Sequence, residues 1–174
     1  MFVANYAVGG NFSSRINTVL REEKGFTYGA TSSLDASRGV GLVAISAAVR
    51  SDATAEALGD IVRILEDSAG SITDEETATA VRAATQSAAL GFERADAVVA
   101  RVEMLLSQGL PLTHVDVNLD RIRAVTTAAA NSAYTEVVDP SRLTVVVVGD
   151  AATLEGPLRA WGHADVELEI PDRT

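Results

Sequence analysis

Cysteine is absent from this 174-residue chain, and histidine occurs only as His114 and His163. The first absence excludes a disulfide framework, a thiolate metal site and a cysteine nucleophile, and it leaves the redox compartment open. The second leaves no H-x-x-E-H or H-E-x-x-H pattern. Glu167 lies near His163 in sequence, but a zinc site wants three protein ligands, so no metal is expected here. Lysine is nearly missing as well: Lys24 is the only one, and the remaining basic residues are arginines, which reads as GC-rich coding bias rather than chemistry. With 14 basic against 24 acidic residues the net charge is -10, so neither nucleic acid nor an anionic membrane surface is an expected partner. No apolar run approaches the ~18–20 residues that span a bilayer. The opening MFVANYAVGG lacks a positive n-region, so no signal peptide is expected and the cytoplasm is the default compartment. No G-x-S-x-G elbow is present, and neither phosphate-loop glycine pattern follows VVVVGD, which speaks against a serine hydrolase and a nucleotide-binding module.

What is present is enough for a core. Hydrophobic residues make up 47% and charged residues 22% of the chain, with no linker, repeat or low-complexity stretch, which predicts one domain over residues 1–174. Phe2–Val8 is an apolar segment ending at Gly9-Gly10. Asn11 or Ser13 can cap a helix with Phe12, Ile16, Val19 and Leu20 on its apolar face, and Gly25 can end it in the left-handed conformation. FTYGATSSL and VGLVAISAAV read as paired strands around a turn at Ser37–Gly39, with Val43, Ile45, Ala47 and Val49 on one face. Asp52 is expected to cap a helix burying Leu58, Ile61, Val62 and Leu65, and Thr73-Asp74-Glu75-Glu76 to open the next. The Ala-rich stretch from there through about Leu106 is expected to be two helices broken near Gly91–Arg94, followed by a helix over Leu119–Tyr134. LTVVVVGD is expected to be a buried strand, LEGPLRAWG a short helix and ADVELEI a last strand. The order predicts an α+β fold with a largely antiparallel sheet and helices packed on one face.

One stretch concentrates unusual chemistry. GGNFSSRINTVLREEKGFTYGATS, residues 9–32, sets a glycine pair, a short arginine-bearing helix, a second glycine turn and a tyrosine-bearing strand side by side. Arg21 falls in the last turn of the helix and Tyr28 on the strand that turns back from it. Across such a corner a guanidinium and a phenol can point at one spot and grip a carbonyl or carboxylate, the arginine as a charged fork and the tyrosine as a neutral donor to a developing oxyanion. An arginine favoured by the helix dipole and an ordinary strand tyrosine are the plainer alternative.

The pattern GGNFSSRIN-x-x-LREEKGFTYGA resembles the signature of the C-terminal, metal-free domain of the insulinase/pitrilysin-like zinc peptidases, the inverted-motif family that includes mitochondrial processing peptidase and many bacterial zinc proteases. Similar segments follow in DATAEAL, the GLP break, IRAVT and VVVVGD. The resemblance implies a domain that faces a separate zinc-bearing H-x-x-E-H domain, in the same or a partner chain, and binds peptide substrate. Arg21 and Tyr28, seven residues apart, match the family pair that binds substrate and stabilises the tetrahedral intermediate. Phe26 is the nearest aromatic rival to Tyr28 and lacks the hydroxyl. No cofactor is expected in this chain, which should be inert alone, and zinc is expected on the partner domain. A structural or assembly domain of the same superfamily, without proteolysis, is the alternative. Family domains begin with a further strand and most of a helix. The chain is therefore expected to be a fragment of a longer one, with an uncovered sheet edge and a tendency to self-associate.

Overall fold

The first seven helical residues already carry the core pattern. In the computed structural model, which describes residues 1–35, 41–90 and 92–169, Phe2–Val8 forms helix α1, and its Val3, Ala4, Ala7 and Val8 are all buried. That i, i+1, i+4, i+5 spacing is one helical stripe. Gly9 and Gly10 follow because there is no room for side chains. A Cβ on Gly9 would stand 2.7 Å from Ser32 Cβ, and one on Gly10 would stand 2.9 Å from Tyr6 Cα.

The next helix starts later than its apolar residues suggest. Asn11 Oδ1 accepts from Ser13 N–H at 2.7 Å, making a turn rather than a cap. Helix α2 runs over Arg15–Asn17 and continues as a π-helix over Thr18–Glu23, where Lys24 N–H donates to Val19 O five residues back. Ile16 and Leu20 are fully buried, whereas Phe12, expected on the same apolar face, precedes the helix and is 66% exposed. Gly25 ends the segment at φ +61°, as its position predicts. Lys24 ties this corner to the following helix through Asp60 at 2.6 Å and Glu56 at 2.8 Å.

Strands β1 (Thr27–Asp35) and β2 (Leu42–Val49) form a two-stranded antiparallel sheet. The expected turn at Ser37–Gly39 lies outside the described residues. Ala30 and Ser32 of β1 face inward. Asn17, itself buried, holds Ala30 from the helix side: its Oδ1 accepts from Ala30 N–H and its Nδ2 donates to Ala30 O, both at 2.8 Å. Asn5 does similar work from α1, donating to Ser32 O at 2.9 Å and accepting from Ser32 Oγ at 2.5 Å, while Ser32 N–H donates to Gly9 O at 2.8 Å.

Helix α3 (Thr54–Asp67) buries Ala57, Val62, Ile64 and Leu65. Asp52 does not cap it. It lies in a 3₁₀ turn, Ser51–Ala53, and pairs with Arg50 instead. Helix α4 (Asp74–Leu90) opens with a reciprocal capping box: Thr73 N–H donates to Glu76 Oε2, and Glu76 N–H donates to Thr73 Oγ1. Helix α5 (Ala95–Ser107) follows the expected break. The helix expected over Leu119–Tyr134 is two: α6 (His114–Arg123) and α7 (Thr127–Val137). Thr126 separates them because its hydroxyl accepts from Ala129 N–H and starts a new N-terminus. Helix α8 (Ala151–Trp161) is capped by Asp150 and ended by Gly162 at φ +71°.

The core joins α1, Ile16, Leu20, Ala30 and residues of α3, α4 and α7, with Tyr134 buried and donating to Leu65 O at 3.0 Å. Burial pushes the Tyr134 phenol up to about 12. The fold is α+β as expected, but the sheet is smaller. Leu143–Val148 runs unpaired, with Val146 83% and Val148 95% exposed, and Ala164–Glu169 forms no strand either. Strand propensity needs a neighbour to pair with, and among the described residues neither segment has one. No helix among the described residues is long and apolar enough to cross a membrane.

Asn17→Ala is expected to orphan both backbone groups of Ala30 and cost roughly 2–6 kcal/mol, since each buried unsatisfied group costs ~1–3 kcal/mol. Chemical denaturation at neutral pH checks this. A loss below about 0.5 kcal/mol would mean that β1 is held by other means.

Candidate functional site

The two arginines of the 9–32 segment have opposite fates. Arg15 spends its whole fork inside the fold. Its Nε and Nη2 donate to the two carboxylate oxygens of Glu76 at 2.7 Å each, Nη2 also to Ser71 O at 2.8 Å, and Nη1 to Ser71 Oγ at 2.7 Å and Ser68 Oγ at 3.3 Å. The guanidinium holds the Glu76 carboxyl below the ordinary carboxylate range, with the Thr73 backbone bond adding to it, and the pair raises Arg15 in return.

Arg21 is different. It sits in the π-helical turn, with its side chain 18% exposed. Its guanidinium carbon lies 3.2 Å from the centre of the Phe12 ring, Nη2 donates to the neighbouring Glu22 carboxylate, and Nη1 is shielded from solvent with no hydrogen-bond partner among the described residues. Buried donors without acceptors are uncommon, and each one costs desolvation that nothing in the free chain offsets.

Tyr28 is fully exposed. A bulge aims it outward. Thr27 pairs with Val49 and Ala30 with Ala47, so Tyr28 and Gly29 together oppose Ala48. Without the extra residue Tyr28 would share the inward face of Ala30 and Ser32; with it, Tyr28 turns to solvent. The hydroxyl of Thr27 fixes the bulge, lying 2.7 Å from Ala48 O and 2.9 Å from Gly29 O and accepting from Gly29 N–H at 3.1 Å. Arg21 and Tyr28 flank the same glycine corner, yet no hydrogen bond or ring contact joins them. Phe26 lies partly buried against the core with Lys24 and Arg50 near its ring, and it presents no donor.

Sequence reasoning placed Phe12 in the core and gave no role to Asn17 or Arg15. The SR-I-N spacing is the signal that could have found the last two, because it sets Arg15 toward α4 and Asn17 toward β1. Among the described residues no group of three or more His, Asp or Glu side chains could hold a metal ion, and His163 stacks on Trp161 at 4.7 Å. These residues do not fit zinc.

An α+β domain in which a glycine-pinned helix–turn–strand corner shows one under-bonded arginine and one bare tyrosine is the class that emerges. Residues 1–84 match the family model of the Peptidase M16 inactive domain. Two solved structures share the fold. One, described as a peptidase M16 inactive domain from Pseudomonas fluorescens, superposes with a TM-score of 0.71 at 19% identity, covering 80% of this chain and 34% of that one. The other, a conserved protein from Enterococcus faecalis V583, gives 0.65 at 22% identity, covering 76% and 31%. The chain thus spans about a third of the length of each. No protein of curated function matches it.

The Arg15–Glu76 pair gives a pH signature. Because the Glu76 carboxyl is depressed in the folded state, its stabilisation is present above the unfolded value of ~4.3 and disappears as pH falls through the lower folded value. Glu76→Gln should therefore melt below wild type at pH 7, and the gap should narrow as pH is lowered below about 4. Thermal melts at both pH values check this; a gap that stays constant would mean that the Arg15–Glu76 charge pair does not account for the loss.

Proposed function

We propose that residues 1–174 form the substrate-binding, non-metal domain of a zinc-dependent endopeptidase. The zinc and its H-x-x-E-H ligands belong to a separate domain, in the same or a partner chain, which supplies the activated water. In this reading Arg21 and Tyr28 are the residues that touch substrate: Arg21 binds a peptide carbonyl or carboxylate, and Tyr28 donates to the oxyanion of the tetrahedral intermediate. The observation that carries it is the contrast between the arginines. Arg15 has an acceptor on every guanidinium nitrogen, whereas Arg21 keeps Nη1 without one. Nη1 is covered in the free chain, so a peptide acceptor would satisfy it once the side chains over it move aside. Tyr28, with its ring and hydroxyl in solvent, gives the fold no packing that would explain its presence. The family match over residues 1–84 supports the metal-free half as the setting for both.

The test is to combine the chain with its zinc-bearing partner domain and measure peptide turnover and melting temperature together. Tyr28→Phe should cost roughly 10²–10³ in turnover, the typical effect of removing one oxyanion donor. Arg21→Lys should weaken substrate binding as well as rate, because the planar fork is lost. Tyr28→Phe should leave the melting temperature unmoved, since an exposed residue without partners contributes within about 0.5 kcal/mol. Normal turnover in Tyr28→Phe would remove the oxyanion role and leave a scaffold domain as the better description.

The uncovered segment Leu143–Val148 supports a second expectation, self-association of the isolated chain. Unpaired backbone flanked by exposed valines is a template for strand pairing with another copy. Sedimentation across a concentration series should show dimers or larger species, and Val146→Lys should shift them toward monomer. A monomer at every concentration would count against it.

A further inference from the structure

Phe12 is out of place as a core residue. It is 66% exposed, and its ring lies against the guanidinium of Arg21. The turn that carries it is pinned on every side. Asn11 Nδ2 donates to Tyr6 O at 2.5 Å, Asn17 Nδ2 donates to Asn11 O at 2.9 Å, and Gly10 leaves no space for a side chain beneath. A phenylalanine held rigidly in solvent loses the apolar burial that would ordinarily justify it. It must be judged by what it touches.

We infer that Phe12 is a positioning residue for Arg21, a platform that fixes the guanidinium without taking up any of its N–H donors. This rests on the reading of Arg21 as a substrate-binding group. The chemistry is in the geometry of the contact. A guanidinium has two flat faces and an edge of N–H donors, and ring stacking uses a face while leaving the edge available. Glu22 takes Nη2 at that edge, while Nη1, shielded from solvent in the free chain, has no acceptor among the described residues. A second carboxylate in place of Phe12 would hold the arginine equally well and saturate the edge, as Glu76 does for Arg15. An aromatic ring holds it without competing for it.

The experiment uses the 174-residue chain, with a fluorescein-labelled peptide from denatured casein as the probe, read by anisotropy. The Arg21 Nε–Hε resonance, assigned by its loss in Arg21→Ala, reports ring stacking through its ring-current shift. Phe12→Leu should abolish that shift and weaken peptide binding by about 3–10-fold with an unchanged melting temperature, while Phe12→Tyr should retain both the shift and the affinity. If Arg21→Ala binds weakly but Phe12→Leu binds like wild type, the positioning role is overturned and the reading of Arg21 survives. If Arg21→Ala binds like wild type, or wild type does not bind, the reading of Arg21 fails and the inference falls with it. Unfolding of Phe12→Leu, or weak binding by Phe12→Tyr, would make Phe12 a structural residue and also overturn it.

Discussion

A single carboxamide does the work of a neighbouring strand. Asn17 offers Ala30 an acceptor and a donor at 2.8 Å each, the pairing that a neighbouring strand would provide, and it does so from a helix. Being buried, the pair is shielded from competing water, so losing one side leaves the other unsatisfied. Everything downstream depends on this lock. It fixes β1 against the π-helical turn, and with Asn5 on Ser32 it sets the inward face of the strand. Only with that face fixed does the bulge at Tyr28 and Gly29 have a defined direction.

The glycines and the two asparagines explain why this corner needs its particular residues. Gly9 and Gly10 let α1 come close enough for Asn5 to reach Ser32, and a Cβ at either would collide with strand or helix backbone or side chain. Arg15 then anchors the same corner to α4 through Glu76, whose carboxylate also completes the capping box with Thr73. One glutamate thus serves a helix start and a long-range ion pair at once. These contacts make the corner rigid without using Arg21, so that arginine can remain under-bonded while its surroundings are over-determined.

Local signals made much of this visible in the sequence. Aromatic and hydroxyl residues marked β1, alternation marked β2, Gly25 marked a left-handed end, and the acidic start of α4 marked an N-terminus, because each depends on residues adjacent in the chain. The misreadings share a cause. LTVVVVGD reads as a buried strand from composition, but pairing requires a partner that its own residues do not supply. Phe12 fits helical spacing with Ile16, yet the Asn11 turn starts the helix three residues later and leaves the ring outside. Thr126 divides what periodicity joined, since a cap can outweigh an alanine-rich run. In the candidate site, Arg21 and Tyr28 were legible as residue types at a spacing. That Arg15 would be consumed by Glu76, 61 positions away in sequence, was not.

The bulge bears most directly on why Tyr28 is where it is. A strand residue at this position that followed plain alternation would pack under the sheet beside Ala30, where a tyrosine would need volume and a partner for its hydroxyl. The chain instead inserts Gly29, staples the distortion with Thr27, and turns the ring fully to solvent. That arrangement gives up ladder hydrogen bonding at the bulge and buries no aromatic surface in exchange, so stability does not account for it. Bulges that re-aim a side chain are concentrated where the side chain has something to meet. With the Arg21 guanidinium held on Phe12 at the other side of the same glycine corner, the cost falls on one short segment that turns Tyr28 outward while the asparagine lock behind it keeps it from relaxing.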